Sequence, residues 1–251
     1  MGKNKLKKFK DLEGFRRVLQ YPREALLENG FPYKGRWRKD VFANASPIIL
    51  ELGCGKGEYT VELAKANEAK NYIGIDIKGA RLWTGAKEIN EKNILNAAFL
   101  RTEIENIASF FSPGEVDEIW ITFPDPQMQK QRKRLTSTRF LNEYGKFLKL
   151  GSIIHLKTDS PFLFEYTRRL VESNGFQVKE LTDDLYGSGK ADPEKSIKTF
   201  YESQWLSRGK KIKYISFVPD FANELKEPDD SDIEKDDYKS VTRHSNLLNL
   251  D

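Results

Sequence analysis

The feature that most constrains this chain is a short apolar segment that runs directly into a glycine-rich turn. Residues 47–57 read Pro-Ile-Ile-Leu-Glu-Leu-Gly-Cys-Gly-Lys-Gly, and residues 58–64 are typical of the start of a helix. Such an unbroken apolar run indicates a strand that is buried on both faces, as in a parallel sheet. A glycine turn from strand to helix lets a ligand approach the backbone at the helix N-terminus. The segment therefore predicts a ligand site at the end of a buried strand.

The glycine spacing and one acid narrow the choice of ligand. Gly53, Gly55 and Gly57 follow the pattern G-x-G-x-G, whereas dinucleotide enzymes use G-x-G-x-x-G for a pyrophosphate. Glu51 would repel a pyrophosphate, but it would attract the ammonium and sulfonium groups of S-adenosylmethionine. We therefore expect S-adenosylmethionine as the cofactor, and an NAD-dependent dehydrogenase is disfavoured. A tight turn with a purely structural role is the alternative.

A second acid ends the next apolar segment. Asp76 lies 19 residues after Gly57, which is close to the spacing at which an acid meets a ribose diol in dinucleotide folds. Two ribose hydroxyls can donate to one carboxylate. Considered alone, Asp76 could equally cap the following helix. Its pairing with Glu51 favours the cofactor role.

Strand and helix patterns alternate from residue 48 to residue 218. Strands are predicted at 48–52, 71–76, 97–100, 117–122, 151–157, 176–181 and 212–218, and helices at 58–67, 79–92, 103–111, 138–148, 160–173 and 199–208. This alternation predicts an α/β fold with a mostly parallel seven-stranded sheet and helices on both faces. Residues 1–20 are predicted to form a basic flexible arm, residues 21–223 the folded domain, and residues 224–251 an acidic disordered tail.

Composition and charge bound the class of protein. Of the 251 residues, 38% are hydrophobic and 32% are charged, and the sequence has no apolar run of the length of a membrane span. The single cysteine excludes an internal disulfide, and the sequence offers no Cys/His cluster for a metal. We expect a cytoplasmic protein without a metal or a membrane partner. Residues 1–40 carry 12 basic against 5 acidic side chains, which favours a polyanionic partner such as nucleic acid.

A carboxylate between two prolines ends the fourth predicted strand. Pro124 and Pro126 restrict the backbone on either side of Asp125 and present its carboxylate rigidly. In open α/β sheets, ligands bind at the carboxyl ends of strands where the strand order reverses. Asp125 is therefore expected to face the same crevice as the glycine turn, where it could accept the two donors of a guanine base. A plain turn is the alternative.

Three further segments each allow two interpretations. A basic run of Lys130, Arg132, Lys133, Arg134 and Arg139 suits a phosphate backbone, or it is a solvated loop. Residues 31–39 interleave aromatic and basic side chains, which suits base stacking or a lid packed on the domain, and we favour the lid slightly. Asp159 could bind substrate or cap a helix, and Thr199 and Glu202 have the spacing of a capping box.

Together these motifs resemble those of the bacterial tRNA (guanine-N7-)-methyltransferases. The matching segments are Glu51–Gly57, Gly74–Asp76, Phe123–Pro126, Thr158–Asp159 and Thr199–Glu202, in that order. The resemblance covers about residues 20–218. It implies the class I S-adenosylmethionine-dependent methyltransferase fold, which is Rossmann-like. It also implies an enzyme that transfers a methyl group from S-adenosylmethionine to N7 of guanine 46 in the tRNA variable loop.

The resemblance also implies roles for individual residues. The cofactor would be bound by Glu51, Gly53, Gly55, Asp76, Glu103 and Asp125, and Asp125 would also be the catalytic acid. Substrate tRNA would be bound by Lys130, Asp159, Thr199, Phe200, Tyr201 and Glu202. Many members have Trp and Lys soon after the Pro-Asp-Pro segment, and we assign that lysine to Lys130.

Two other functions remain open at this stage, as does the oligomeric state. The chain could be a methyltransferase that acts on another RNA or on protein. It could also be an RNA-binding module that keeps the fold without the chemistry. Retention of Glu51 and Asp76 beside the glycine turn favours an enzyme, because a pure RNA-binding module has no need of a cofactor site. The protein is expected to be a monomer or a homodimer.

Overall fold

The computed structural model describes residues 3–237, so the last part of the predicted tail, residues 238–251, lies outside the described residues. The strands are β1 (Val18–Gln20), β2 (Ile48–Leu52), β3 (Asn71–Ile75), β4 (Ala97–Arg101), β5 (Val116–Thr122), β6 (Leu148–Thr158), β7 (Gln177–Thr182) and β8 (Lys213–Val218). The α-helices are α1 (Lys3–Gly14), α2 (Arg23–Asn29), α3 (Glu58–Ala66), α4 (Gly79–Glu91), α5 (Thr138–Gly145), α6 (Pro161–Ser173) and α7 (Phe200–Ser207). Short 3₁₀ turns occupy Ile104–Ser109 and Gln131–Lys133, and a π-helical turn occupies Trp37–Phe42.

All eight strands form one sheet in the order β1-β4-β3-β2-β5-β6-β8-β7. Neighbouring strands are parallel from β1 to β6, and β8 runs antiparallel to both β6 and β7. The prediction of a mostly parallel sheet is confirmed, but the predicted number of seven strands is wrong. The additional strand is Val18–Gln20, which pairs with β4 at the edge and is too short to show an apolar period.

The sheet order reverses between β2 and β5. The chain proceeds from β2 to β3 and β4 on one side, and β5 and β6 lie on the other side. All five residues of β2 are buried, as its unbroken apolar run predicts. Side chains alternate across the strand, so Ile48, Leu50 and Leu52 join one hydrophobic cluster and Ile49 joins the other. The carboxyl ends of β2 and β5 therefore meet where a ligand can bind.

The N-terminal segment differs from the predicted flexible arm, because residues 3–14 form α1. Leu12 is fully buried, and the Trp83 indole N–H donates to Asp11 at 3.0 Å. The ammonium of Lys8 lies 4.6 Å from the centre of the Trp83 ring. A few apolar contacts with α4 are therefore enough to order a segment whose composition is dominated by lysine.

The beginning of the acidic segment also differs from the prediction, because residues 226–236 lie along α6. Asp230 pairs with the buried Arg134 at 2.5 Å, and Asp232 pairs with Arg169 at the same distance. Asp236 accepts a hydrogen bond from the backbone N–H of Phe162 at 2.9 Å, at the N-terminus of α6. The composition of this segment shows an excess of carboxylates, which predicts disorder. It does not show that the folded domain places cations and helix N–H groups opposite these carboxylates.

The aromatic segment at residues 31–39 packs on the domain. Trp37 is fully buried and its indole N–H donates to the Phe110 carbonyl at 2.9 Å. Phe31 is 5% exposed, and its ring packs against the rings of Trp37 and Phe110. Of the two interpretations, the packed lid is the one that agrees with the structure.

Over residues 3–237, no helix combines the length and the hydropathy needed to cross a bilayer.

Candidate active site

The glycine turn after β2 adopts a backbone conformation that favours glycine. Gly53, Gly55 and Gly57 have φ angles of 76°, 56° and 74°, in the left-handed region. A Cβ atom on Gly53 would come no closer than 3.9 Å to another group, and one on Gly55 no closer than 4.0 Å, so neither would clash. A Cβ atom on Gly57 would lie 2.5 Å from the Phe99 ring. The first two glycines therefore open the site, and the third allows close packing beneath it.

A cavity of about 490 Å³ lies above this turn, at the carboxyl ends of β2 and β5. Its walls include Glu51, Gly53, Gly55, Asp76, Phe123, Pro124, Asp125, Thr199, Tyr201 and Trp205. An adjoining cleft of about 890 Å³ shares Asp76 and Asp125 and extends to Glu103, Lys133 and Arg139. The structure thus brings all six residues of the predicted cofactor set to one connected depression.

Glu51 is buried at the base of the cavity and is fully hydrogen-bonded. Its carboxylate accepts from the Thr60 backbone N–H at 2.9 Å, from the Thr60 hydroxyl, and from the Thr122 hydroxyl at 2.7 Å. Burial raises the pKa of Glu51 to about 7, although these hydrogen bonds oppose the shift. The nearby charge of Asp76 raises the pKa further. A cation placed in the cavity would favour the ionised form.

Asp76 lies beside Glu51 and organises the turn. One carboxylate oxygen accepts from the Gly55 N–H at 2.9 Å, and the other accepts from the Lys78 N–H at 2.7 Å. Each oxygen can accept a further hydrogen bond from a ligand. The two interpretations of Asp76 are therefore compatible, because it both binds the backbone and faces the cavity.

Asp125 is exposed at the rim, on a segment with a strained backbone. Phe123 and Gln127 have φ angles of 49° and 48°, although neither is glycine. Such conformations cost free energy, and they concentrate at functional sites. The Asp125 carboxylate accepts from the Gln127 N–H at 3.0 Å, so a hydrogen bond and two prolines together fix its direction. The catalytic role of Asp125 stays a prediction.

The start of α7 forms the opposite wall. Thr199 caps the helix, because its hydroxyl accepts from the Glu202 N–H at 3.2 Å. Phe200 and Tyr201 are 51% and 41% exposed, and the Lys56 ammonium lies 4.2 Å from the centre of the Phe200 ring. Two exposed aromatic rings beside a lysine are suited to contact with a nucleobase and a phosphate.

Two of the predicted substrate residues are buried, and their role in substrate binding stays a prediction. Glu202 is fully buried, and its carboxylate pairs with Lys157 at 2.9 Å rather than completing the capping box. Asp159 is 3% exposed and lies 3.5 Å from the Lys210 ammonium, and Ser160 is the residue that caps α6. The sequence does not show whether a residue at the end of a strand or the start of a helix is buried. Both acids therefore look accessible to a substrate in the sequence.

The basic run divides into buried and exposed parts. Arg134 is 1% exposed and hydrogen-bonds to the carbonyls of Gln127 and Met128, so it is structural. Lys130 and Arg132 are exposed, and Lys133 lines the adjoining cleft while pairing with Glu105 at 2.9 Å. The assignment of Lys130 to substrate binding stays a prediction.

Sequence reasoning missed the residues that support the site from below. Thr60 and Thr122 hold the carboxylate of Glu51, and Lys157 holds Glu202. A signal for the threonines did exist, since a buried acid requires donors and Thr122 directly precedes the Phe-Pro-Asp-Pro segment. Lys157 gave no comparable signal in the sequence.

The cavity has the donor and acceptor set that S-adenosylmethionine requires. Two carboxylates, Glu51 and Asp76, face a region in which the ligand would carry positive charge and a ribose diol. Gly53 and Gly55 line the cavity, so a ligand there can lie against the backbone. Among residues 3–237, no group of three or more His, Cys, Asp or Glu side chains is arranged to hold a metal ion.

Comparison with known proteins agrees with this geometry. Residues 45–215 match a family described as "Putative methyltransferase". The chain is 54% identical over 243 residues to a tRNA (guanine-N(7)-)-methyltransferase of Bacteroides fragilis strain YCH46, covering 97% of this chain and 96% of that protein. It is 58% identical over 238 residues to the Porphyromonas gingivalis protein of the same name, covering 92% and 96%.

The solved structures give the fold. A mutant 16S rRNA (adenine(1408)-N(1))-methyltransferase from Catenulisporales acidiphilia, solved with its cosubstrate SAM, superimposes with a TM-score of 0.51. The match covers 76% of this chain and 93% of the other at 16% sequence identity. At that identity the likeness is one of architecture, and it agrees with the class I methyltransferase fold.

Proposed function

Because the chain belongs to the bacterial tRNA (guanine-N7-)-methyltransferases, which are S-adenosylmethionine-dependent tRNA methyltransferases, we propose that it methylates N7 of guanine 46 in the tRNA variable loop. S-adenosylmethionine is the proposed methyl donor, and the reaction is assigned to the cytoplasm. The observation that carries the proposal is the single cavity shared by Glu51, Asp76 and Asp125. The exposed side chains of Phe200, Tyr201, Lys130 and Arg132 support an RNA substrate.

Methylation at N7 of guanine does not require a general base. The lone pair on guanine N7 is already nucleophilic, and the cofactor supplies a methyl group on a positively charged sulfur. The contribution of the chain is therefore alignment, exclusion of water and stabilisation of positive charge. Asp125 would accept the N1–H and amine donors of guanine, which would orient N7 and stabilise the methylated, cationic base. Glu51 and Asp76 would hold the cofactor from the opposite side.

A transfer assay tests the proposed activity. The protein is incubated with methyl-labelled S-adenosylmethionine and, in separate reactions, bulk tRNA, ribosomal RNA and protein extract. We expect label in tRNA alone, recovered as 7-methylguanosine after digestion to nucleosides. Label in protein or ribosomal RNA would favour the alternative methyltransferases, and cofactor binding without transfer to any substrate would favour an inactive RNA-binding module.

The raised pKa of Glu51 predicts that cofactor affinity depends on pH. The empty site keeps its proton up to a pKa of about 7, whereas a bound cation favours the carboxylate. Binding below pH 7 must therefore release a proton, and the apparent affinity should fall as the pH is lowered. Between pH 8 and pH 6 the expected loss is about tenfold. Calorimetry in two buffers with different ionisation enthalpies measures both the affinity and the proton release.

A matched variant isolates this effect from titration of the ligand. Glu51→Gln keeps the size of the side chain and has no proton to release. Its affinity should be lower at pH 8 and should change less between pH 8 and pH 6 than that of the wild type. Equal slopes for the two proteins would show that Glu51 is not the titrating group.

The exposed basic residues predict a salt-dependent interaction with tRNA. Changing Lys130 and Arg132 to Gln should weaken tRNA binding and reduce the slope of log affinity against log salt by about one for each phosphate that is no longer neutralised. The control changes Lys146 and Lys149, which lie just before and at the start of β6, at the opposite end of that strand from the cavity. Filter binding over a range of salt concentrations gives both slopes. If the salt dependence of tRNA binding were equal in the two variants, the basic run would be a solvated loop that does not contact tRNA.

A further inference from the structure

Lys157 is a buried lysine near the cavity. The proposed chemistry gives it no role. It is the next-to-last residue of β6, and its side chain is fully buried, as is that of its partner Glu202. Charged side chains are almost never fully buried unless they are paired. The arrangement therefore calls for an explanation.

The ammonium of Lys157 ties together one segment of the chain. It donates to the carbonyl of Lys195 at 2.7 Å, to the carbonyl of Ile197 at 2.9 Å and to Glu202 at 2.9 Å. The Tyr186 hydroxyl donates to the other oxygen of Glu202 at 2.5 Å. The Tyr186 hydroxyl oxygen is a fourth acceptor near the ammonium, at 3.3 Å. The three shorter hydrogen bonds fix the loop before α7 and the first turn of that helix.

This segment carries one wall of the cavity. Thr199 and Tyr201 line the cavity and lie between the two anchoring points, Ile197 and Glu202. The backbone of Lys157 holds the other wall, because its carbonyl accepts from the Phe123 N–H at 2.8 Å. One residue therefore connects the segment that carries Asp125 with the segment that carries Thr199 and Tyr201.

Stability alone is a poor explanation for such a pair. Desolvation of two buried charges offsets much of their attraction, and apolar residues of similar volume often stabilise a fold as well or better. Burial lowers the pKa of Lys157, and the charge of Glu202 opposes that shift. An ion pair with three directed hydrogen bonds does, however, fix the positions of its partners, here the two backbone carbonyls and Glu202.

We propose that Lys157 is a positioning residue for methyl transfer, which fixes Thr199 and Tyr201 opposite Asp125 so that a guanine entering the cavity is held in one orientation. The inference rests on the proposed function. The side chain of Lys157 does not itself contact the substrate, because it is enclosed by Glu202 and the two carbonyls. Its loss should impair the use of bound tRNA more than the binding of the cofactor.

The test compares Lys157→Met with Lys65→Met, which removes a lysine that pairs with two acids away from the cavity. The Lys65 ammonium lies 2.5 Å from Glu62 and 2.6 Å from Glu88, and none of the three lines the cavity. Lys157→Met should lower the single-turnover rate with saturating tRNA about tenfold or more, with S-adenosylmethionine affinity within about twofold of wild type. Lys65→Met should leave the rate per folded molecule near wild type.

A second variant keeps the test valid if Lys157→Met fails to fold. Glu202→Gln preserves the shape of the side chain and weakens the same anchor, so it should lower the rate without a matching loss of cofactor affinity. Where both fold, the double variant should be no slower than the slower single variant, because the two residues act as one unit. A wild-type rate in these variants, or a proportional loss of cofactor affinity and rate, would overturn the positioning role. Absence of transfer by the wild-type protein would instead reject the proposed function.

Discussion

Asp125→Asn is expected to reduce methyl transfer about a hundredfold, which corresponds to roughly 3 kcal/mol of transition-state stabilisation. The substitution removes the charge and turns one acceptor towards guanine into a donor. The base would lose its alignment, and the cationic product would lose a stabilising carboxylate. The measurement is the single-turnover rate with saturating tRNA and cofactor.

The chain offers a close control for this variant. Asp220 also follows a proline at the end of a strand, is exposed, and accepts a hydrogen bond from the backbone N–H two residues later at 2.9 Å. Asp220→Asn should therefore reproduce any effect on the turn and leave the rate unchanged. Thermal unfolding of both variants checks the fold. A stable Asp125→Asn protein that reacts at the wild-type rate would remove Asp125 from the mechanism.

Asp76→Ala is expected to weaken S-adenosylmethionine binding by roughly 2–3 kcal/mol, or about 30- to 150-fold, through the loss of two charge-assisted hydrogen bonds to the ribose. Part of the loss will come from the turn, because Asp76 also accepts from the N–H groups of Gly55 and Lys78. Calorimetry gives the affinity directly.

Asp76→Asn separates the two contributions. An amide keeps one oxygen, so it can still hold the backbone in part, but it loses the negative charge. An affinity between those of the wild type and the alanine variant is expected, with a melting temperature close to wild type. Unchanged affinity in Asp76→Ala would exclude the ribose interaction and leave Asp76 as a residue of the turn.

The order of strands along the chain can be predicted from the sequence because buried parallel strands have a distinctive composition. β2 is apolar apart from Glu51 and ends in glycines, and β5 ends in two prolines around an acid. Both patterns depend on local chemistry, and both define the cavity. Val18–Gln20 has only three residues, and its place at the sheet edge depends on pairing with β4, which no local pattern records.

The burial of several charged residues near the site could not be predicted from the sequence. The partners of Lys157 and Arg134 lie 45 and 96 residues away along the chain, so the sequence gives their charges without their contacts. Glu202 looks like an available acid and Arg134 like an available cation, yet tertiary packing buries both. The acids that line the cavity therefore carry a local signal in the sequence, whereas the burial of Glu202 and Arg134 depends on long-range ion pairs that the sequence does not show.

The most direct test of the proposed activity maps the methylated base in one defined tRNA. A tRNA transcript with a guanine at position 46 is reacted with the wild-type protein and S-adenosylmethionine, then treated so that the chain is cleaved at 7-methylguanosine. A single cleavage at position 46, absent from a transcript with adenine there, is the predicted result. Cleavage at another guanine would contradict the assigned target, and a protein that binds the cofactor without producing any cleavage would contradict methyl transfer to N7.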